Sequence, residues 1–586
     1  MIMTNFSLHR LPYRAIYVVD TEYFGKNGDI LTPVCLVVRE LKSNTVQRYW
    51  QNEIQNMPQA PFDTGPEALF VSYYASAELS FFKVMKWQMP ERIFDCYIEF
   101  KCETNGQNLS NGKSLFGAMS YFGLENIGVE TKADMRDLIL CGGPWDVKQQ
   151  SAILDYCQSD VDSLARLFQR MFEKWIKDEL RLGQALLRGR YMAAVSSMEY
   201  TGIPIDVPLL NKFWANWDRI KSELITRIDS QFGVYTNGKF TEALFEDYLI
   251  RQGIPWPRLN SGRLALDRET FKTQKNTHPQ LAPLYYLRKT LSELHQNGLS
   301  IGEDGRNRAM LSPFSSTTGR NQPSTSKFIF GNPAWVRGFI KPKQGYSLAY
   351  CDWKSQEIAV AAARSGDEIM WTAYETGDPY MAFAIQAGLA PSGATKATHR
   401  DVRDRCKAIV LGLQYGMTPE GMSRGSNISF PEAQDLVRRH KETYKQFWVW
   451  NEKNVSAALF GLPLNTCFGW KIRTGYGTDP KERTFMNWPM QANAAEMLRI
   501  ACCLATEAGL RICAPIHDAL LLEAPTESIF EDVESLKSIM QDASELVLGE
   551  GKICGVDVDI IHAPDRFQDE RGLEMWALIM ELLEDF

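Results

Sequence analysis

The sequence predicts a multidomain chain that combines α/β and α+β units, and three observations carry that expectation. At 586 residues the chain should divide into several domains, each able to bury its own core. Near the front, an apolar strand ending in two acids is followed much later by a helix with apolar spacing, an α/β pattern. In the last half, an acid closes one apolar run and another sits at the turn of a hairpin, with helical sequence between them, an α+β pattern.

Composition narrows the class. Hydrophobic residues at 45% and charged residues at 23% are ordinary for a globular protein. No apolar run is long enough to span a bilayer, so no membrane partner is expected. The opening Met-Ile-Met-Thr-Asn-Phe-Ser-Leu lacks the charged-then-apolar order of a secretory signal, which leaves a cytoplasmic location as the default. The 12 cysteines are scattered without a CxxC pair, which points to reduced core thiols rather than zinc or disulfides. A net charge of −7 argues against a protein that coats nucleic acid nonspecifically, but local basic grooves decide binding.

In the first region, residues 1–180, Arg14-Ala-Ile-Tyr-Val-Val-Asp20-Thr-Glu22 reads as a buried strand. Residues two apart on a strand share a face, so Asp20 and Glu22 can share a metal. Later, Tyr156 and Asp160 lie one turn apart on one helix face. Three carboxylates and a tyrosine could bind two Mg²⁺ ions and orient a water on a phosphodiester. The set resembles the DEDDy 3′–5′ exonucleases, an RNase H-like fold, and that family needs a fourth acid. Glu78 is the candidate, standing where the resemblance leads one to expect Asp, and Asp95 is the rival.

The middle, residues 181–315, is helical in pattern and punctuated by Gly and Pro clusters, with no catalytic constellation. Residues 316–586 carry the second acid pair. Asp352 closes Ser347-Leu-Ala-Tyr-Cys351, and Asp518 sits at the turn of Ile512-Cys-Ala-Pro-Ile-His-Asp-Ala519. Between them, Arg403, Lys407, Leu411 and Tyr415 repeat every fourth residue and form one helical stripe, basic then apolar-aromatic. Carboxylate, basic helix, carboxylate is the order a two-metal nucleotidyl transferase needs.

Five segments in order resemble family A DNA polymerases: Thr318-Gly-Arg320, Asp352 to Glu357, Arg403 to Gly416, Arg483 to Gln491, and His517-Asp518-Ala519. The resemblance implies a right-hand polymerase behind the exonuclease, with a thumb over 181–315 and a palm over 316–586. A fingers insertion would occupy about 366–470. It implies two Mg²⁺ per active site, with Mn²⁺ as a substitute, held by Asp352, Asp518 and the main-chain carbonyl of Trp353. Arg403 and Lys407 would neutralise triphosphate, and Lys407 would protonate the leaving pyrophosphate. Tyr415 would stack at the nascent pair, and His517 would stand beside the nucleotide. Glu357 matches the residue that blocks a ribose 2′-hydroxyl, making dNTP the expected substrate. Leu411 stands where Phe or Tyr is common, so discrimination against 3′-deoxy analogues is expected to depend on it. Arg320, Arg483, Asn487 and Gln491 would contact primer or template, the last two reading minor-groove acceptors common to all correct pairs.

The departure is Ala519, where the family commonly carries a second carboxylate; Asp352 and Asp518 remain the essential ligands and activity is expected to survive. The chain begins almost directly with the exonuclease strand, so a 5′-nuclease domain is not expected, as in compact bacteriophage enzymes. Primer-template DNA and dNTPs are the expected partners of a monomer in a bacterial host cytoplasm. No motif identifies a separate helicase, primase or single-strand binding protein, or a preference for a modified nucleotide such as 2-aminoadenine triphosphate. Three rival readings are a single-subunit RNA polymerase, opposed by Glu357; a nuclease with a vestigial polymerase half, motivated by Ala519; and a noncatalytic DNA-binding scaffold.

Overall fold

Two sheets organise the chain, each placing acids at its edge. The computed structural model describes residues 11–124, 129–294, 298–425, 428–475 and 482–584. The opening residues 1–10, on which the reading of the leader rests, lie outside them.

The first sheet has five strands: β1 (Ala15–Phe24), β2 (Thr32–Glu40), β3 (Thr45–Trp50), β4 (Ala68–Ser72) and β5 (Ile93–Asp95), in the order β3-β2-β1-β4-β5. β1, β2 and β3 pair antiparallel, whereas β4 and β5 join parallel to β1. Alternation along β1 buries Ile16 and Val18 on one face, and Asp20 and Glu22 continue that face past the apolar stretch. A register shift between Glu22 and Tyr23 then re-aims the strand end. The 29-residue helix Val147–Trp175 covers this face with Ile153, Cys157, Val161, Leu164 and Phe168. It starts cleanly because Asp146 and Gln149 form a reciprocal capping box.

The opposite face of that sheet joins the core of the rest of the molecule. The helix Glu179–Thr201 packs against β5 and the helix Ser76–Met85 on one side, and against the helix Glu482–Glu507 on the other. Residue 180 is therefore not followed by a free linker.

The second sheet is antiparallel, with neighbours Ile512–Ile516, Ala519–Pro525, Tyr346–Trp353 and Val556–His562 in that order. Along Tyr346–Trp353, Cys351 and Trp353 are buried, and Trp353 Nε1 donates to the Met540 carbonyl of the covering helix Ile529–Leu548 at 3.1 Å. Tyr350 and Asp352 point to the other, partly open face. Between the strands the described residues include seven helices from Gln356–Ser365 to Lys445–Leu459. Among them, Arg400–Gln414 buries Cys406, Ile409, Val410 and Leu413, a helical apolar stripe. No described helix is long and apolar enough to cross a membrane.

Candidate functional site

The second sheet brings Asp352 and Asp518 together. Asp352 pairs in register with Ala519, and Trp353 donates its backbone N–H to the Asp518 carbonyl at 3.2 Å. His517 turns the hairpin with a φ of 55°, a left-handed conformation that commits its backbone to this tight corner. Burial, then the nearby Asp518, Asp557 and Asp559, pushes the Asp352 carboxyl up to about 7. Burial also raises Asp518, against the lowering pull of Arg320 and His517. Burial holds the His517 imidazole below its ordinary value. Asp352 Oδ1 is shielded from solvent and has no hydrogen-bond partner among the described residues. A crowded carboxylate with an orphaned oxygen is a donor that a bound cation would satisfy. With the Trp353 ring fixed in the core, only its main chain is left for the site.

Around this pair the expected residues take defined places. Glu357, in the first turn of Gln356–Ser365, accepts from Arg320 Nη2 at 3.2 Å and from the Tyr415 hydroxyl at 3.0 Å. The Tyr415 hydroxyl also meets Gln491, whose neighbour one turn earlier, Asn487, has a buried Oδ1 without a partner among the described residues. Arg483 packs against Gly416: a side chain there would meet Arg483 Cγ at 3.3 Å, and the φ of 68° favours glycine. Arg320, Glu357, Tyr415, Gln491 and Arg483 thus form one contiguous wall, while Leu411 lies half-buried one turn before Tyr415.

The basic half of the stripe is more constrained than its spacing suggests. Lys407 is exposed, with Nζ 5.7 Å from the Tyr380 ring centre. Arg403 lies over the same ring but donates from Nε to Asp378 at 2.6 Å and is largely buried. Asp378, the N-cap of Pro379–Gln386, thus orients Arg403. Asp378-Pro is a recognisable helix start, but its arginine partner is not legible from local sequence.

Sequence reasoning also missed Asp557. It stands in register with Asp352 on the strand opposite Ala519, and pairs with Lys354 Nζ at 2.9 Å. The signal was the alternating Val556-Asp-Val-Asp559, which places both acids on one strand face.

The first sheet assembles a second acid set. Carboxylate oxygens of Asp20 and Glu22 and the Cys157 sulfur lie within 4.8 Å of one another. Cys157 Sγ donates to Asp20 Oδ2 at 3.2 Å. Tyr156, one turn from Asp160, hydrogen-bonds to it and feels Glu22 and Asp20, which with burial raise its phenol. Glu78 comes from the helix Ser76–Met85, and burial, then Asp20, with Asp95 and Glu22 adding, raises its carboxyl strongly. Its Oε2 is buried without a partner among the described residues. The rival, Asp95, accepts from four backbone N–H groups, of Tyr74, Ala75, Tyr97 and Ile98. Those bonds use its oxygens to fix two helix starts, one of them the helix that carries Glu78. Beside this set opens a cavity of about 590 Å³, lined in part by Tyr23, Tyr74, Ser76, Glu199 and Tyr200.

A family model described as DNA polymerase family A matches residues 211–560. The thermostable DNA polymerase I of Thermus filiformis is 23% identical over 410 residues, covering 65% of this chain and 48% of that protein. DNA polymerase I of Aquifex aeolicus is 23% identical over 438 residues, covering 68% of this chain and 73% of that protein. The chain spans about half the length of the Thermus relatives it matches. The POL domain of Pol1 from M. smegmatis, solved in complex with DNA primer-template and dNTP, shares the fold. Its TM-score is 0.66 at 17% identity, over 93% of this chain and 95% of that one.

Proposed function

The chain belongs to DNA polymerase family A, and from that premise we propose that it is a template-directed DNA polymerase with a 3′–5′ exonuclease. The first sheet and its helices, residues 1–180, form the RNase H-like exonuclease; 181–315 form the thumb and 316–586 the palm, with fingers at about 366–470. The observation that carries the polymerase reading is the orphaned, acid-crowded Asp352 carboxylate beside Asp518.

The donor set fits two divalent ions, Mg²⁺ or Mn²⁺, held by Asp352, Asp518 and the Trp353 main chain. Bound there, they would supply Lewis-acid activation of the primer 3′-hydroxyl and neutralise the leaving pyrophosphate. The chain's own residues do the rest. Lys407 offers an exposed ammonium to the triphosphate and a proton to the leaving group, and Arg403 adds charge in an orientation fixed by Asp378. Glu357, pinned by Arg320 and Tyr415, presents a fixed wall to a ribose 2′-hydroxyl and favours dNTP. Asn487 and Gln491 suit the minor-groove acceptors shared by all correct pairs. In the exonuclease, Asp20, Glu22, Glu78 and Asp160 are the metal-binding acids, and Tyr156 orients the attacking water.

The test is primer extension and primer degradation on a primed template with Mg²⁺ and dNTPs, comparing wild type, Asp518→Ala and Asp20→Ala. We expect Asp518→Ala to lose extension alone and Asp20→Ala to lose degradation alone. A wild type that shortens the primer but never extends it would sink the polymerase reading.

A further inference from the structure

A cavity of about 280 Å³ lies where the helix Cys96–Thr104 meets the Phe314–Thr317 segment, and none of the acids of either set lines it. One wall is the helix Cys96–Thr104 and the loop after it, with Lys101, Gln107, Asn108 and Lys113; the other is the Phe314–Thr317 segment. The first wall begins at Asp95, which fixes the Glu78 helix. The second holds Arg320, whose backbone N–H donates to Ser316 Oγ at 2.8 Å while its guanidinium reaches Glu357.

The walls are built rather than casual. The Thr317 carbonyl accepts from Asn105 Nδ2 at 2.6 Å, Trp470 Nε1 at 3.0 Å and Trp488 Nε1 at 2.9 Å. Gly106 has a φ of 87°, and a Cβ there would meet the Arg473 carbonyl oxygen at 2.4 Å. Only glycine therefore lets the Gln107–Asn108 loop approach so closely.

Lys101 is the anomaly. It is 5% exposed, and its ammonium donates to Ser315 Oγ at 3.2 Å and lies 4.9 Å from the Tyr97 ring centre. Among the described residues no carboxylate lies within ion-pair distance of it. The nearest helpful charge, Asp95, has its oxygens taken by backbone N–H groups. Burial, then the adjacent Lys113, lowers Lys101 to about 8, and burial lowers Lys113 as well. A buried cation without a counter-charge is strongly disfavoured, and two converging ones more so. Hydroxyls and amides line the space with them, and no described lining residue is acidic.

We propose that this cavity binds a backbone phosphate of a DNA strand, with Lys101 as the buried counter-charge and Lys113 at the rim. A strand is favoured over a free anion because the same loop continues directly into Arg320, which the family resemblance assigns to primer or template. The inference rests on the chain's being a DNA enzyme.

The experiment measures equilibrium binding of the whole chain to a primer-template with a frayed 3′ end across a salt series. Wild type is compared with Lys101→Met, Lys113→Gln and a control on a distant helix, Lys537→Gln. Losing one phosphate contact should make the plot of log affinity against log salt shallower by about 0.7–0.9. We expect that for Lys101→Met, a smaller change for Lys113→Gln and none for the control. Lys101→Met should melt no lower than wild type without DNA, since methionine fills the space without the charge; should it fail to fold, Lys113→Gln decides. Variants that match the wild-type slope overturn the proposal. So does a result in which pyrophosphate or inorganic phosphate raises the wild-type melting temperature through Lys101 while the DNA slopes stay equal, because the site then serves a free anion. A wild type that binds no primer-template at all would overturn the polymerase reading as well.

Discussion

Asp352 shows at the scale of one residue how a site can be built against the stability of its own fold. Its carboxyl is raised to about 7 by burial and three neighbouring acids, from an ordinary value of 3.8. An acid whose folded value lies above its unfolded one holds its proton longer in the native state. Its favourable contribution is complete below about pH 4 and lost as pH rises towards 7. Asp352→Asn removes that liability while keeping the side-chain shape. Without divalent metal, the variant should melt above wild type at pH 8 and alike at pH 4, a gap readable by thermal denaturation in chelator. On the proposed two-metal reading, extension should also fall by about 10³-fold or more, since a metal ligand worth several kcal/mol at the transition state would be gone. Equal melting temperatures at pH 8 would show that Asp352 is not crowded as described. Such acids were legible in the sequence because the signal is local: an apolar strand that ends in a carboxylate, or a His-Asp turn. Glu78 was legible only as one of two candidates, and what separates it from Asp95 is the four N–H groups that occupy Asp95, two of them 21 and 20 residues away in sequence.

At the scale of elements, the strand order makes sense of Ala519. Asp352 has two cross-strand neighbours at its own register, Ala519 on one side and Asp557 on the other. Directly opposed side chains stand on one face within about 5 Å, close enough for charges to interact. Where the family resemblance leads one to expect an acid at 519, the strand on the other side carries one, Asp557, paired with Lys354. Asp557→Asn should lower the Asp352 carboxyl towards its ordinary value and weaken Mg²⁺ binding several-fold. The primer-extension rate at saturating metal should be held within about tenfold, since Asp557 is exposed and screened. Mg²⁺ titration of extension checks this; an unchanged half-saturation would leave Asp557 as a surface acid paired with Lys354. Sequence alone could not pair 352 with 557, because the partner of a strand is set by tertiary order across some 200 residues. The same holds for Asp378 and Arg403, whose contact joins the starts of two helices. The Arg400–Gln414 helix itself was readable, since its buried Cys406, Ile409, Val410 and Leu413 follow the helical period.

At the scale of the whole molecule, the first sheet is locked to the second half by buried charge. Arg188 donates from Nε and Nη2 to the two oxygens of Glu99, at 2.6 and 2.8 Å, and from Nη1 to the Phe468 carbonyl at 3.1 Å. Glu103 of the same helix as Glu99 meets Lys471 and Arg473. Arg188 and Glu99 are 6% and 4% exposed, so neither charge has water to fall back on. Such a joint is unlike the loosely packed contact expected between independent domains. Its charged residues gave no sequence signal, because Glu and Arg on helices are most often solvated faces and nothing local marks these as buried. Arg188→Met strands the Glu99 carboxylate in the interface and should destabilise the protein by about 3–5 kcal/mol, whereas Glu99→Leu with Arg188→Met should restore most of that loss. Calorimetry separates the two cases. The single variant should split one unfolding transition into two as the first sheet and its helices melt ahead of the rest, and the double variant should return to one. A single Arg188→Met transition at the wild-type temperature would mean that apolar packing of the Glu179–Thr201 helix alone holds the halves together. The two acid sites would then be fixed relative to each other by that helix and not by the buried pair.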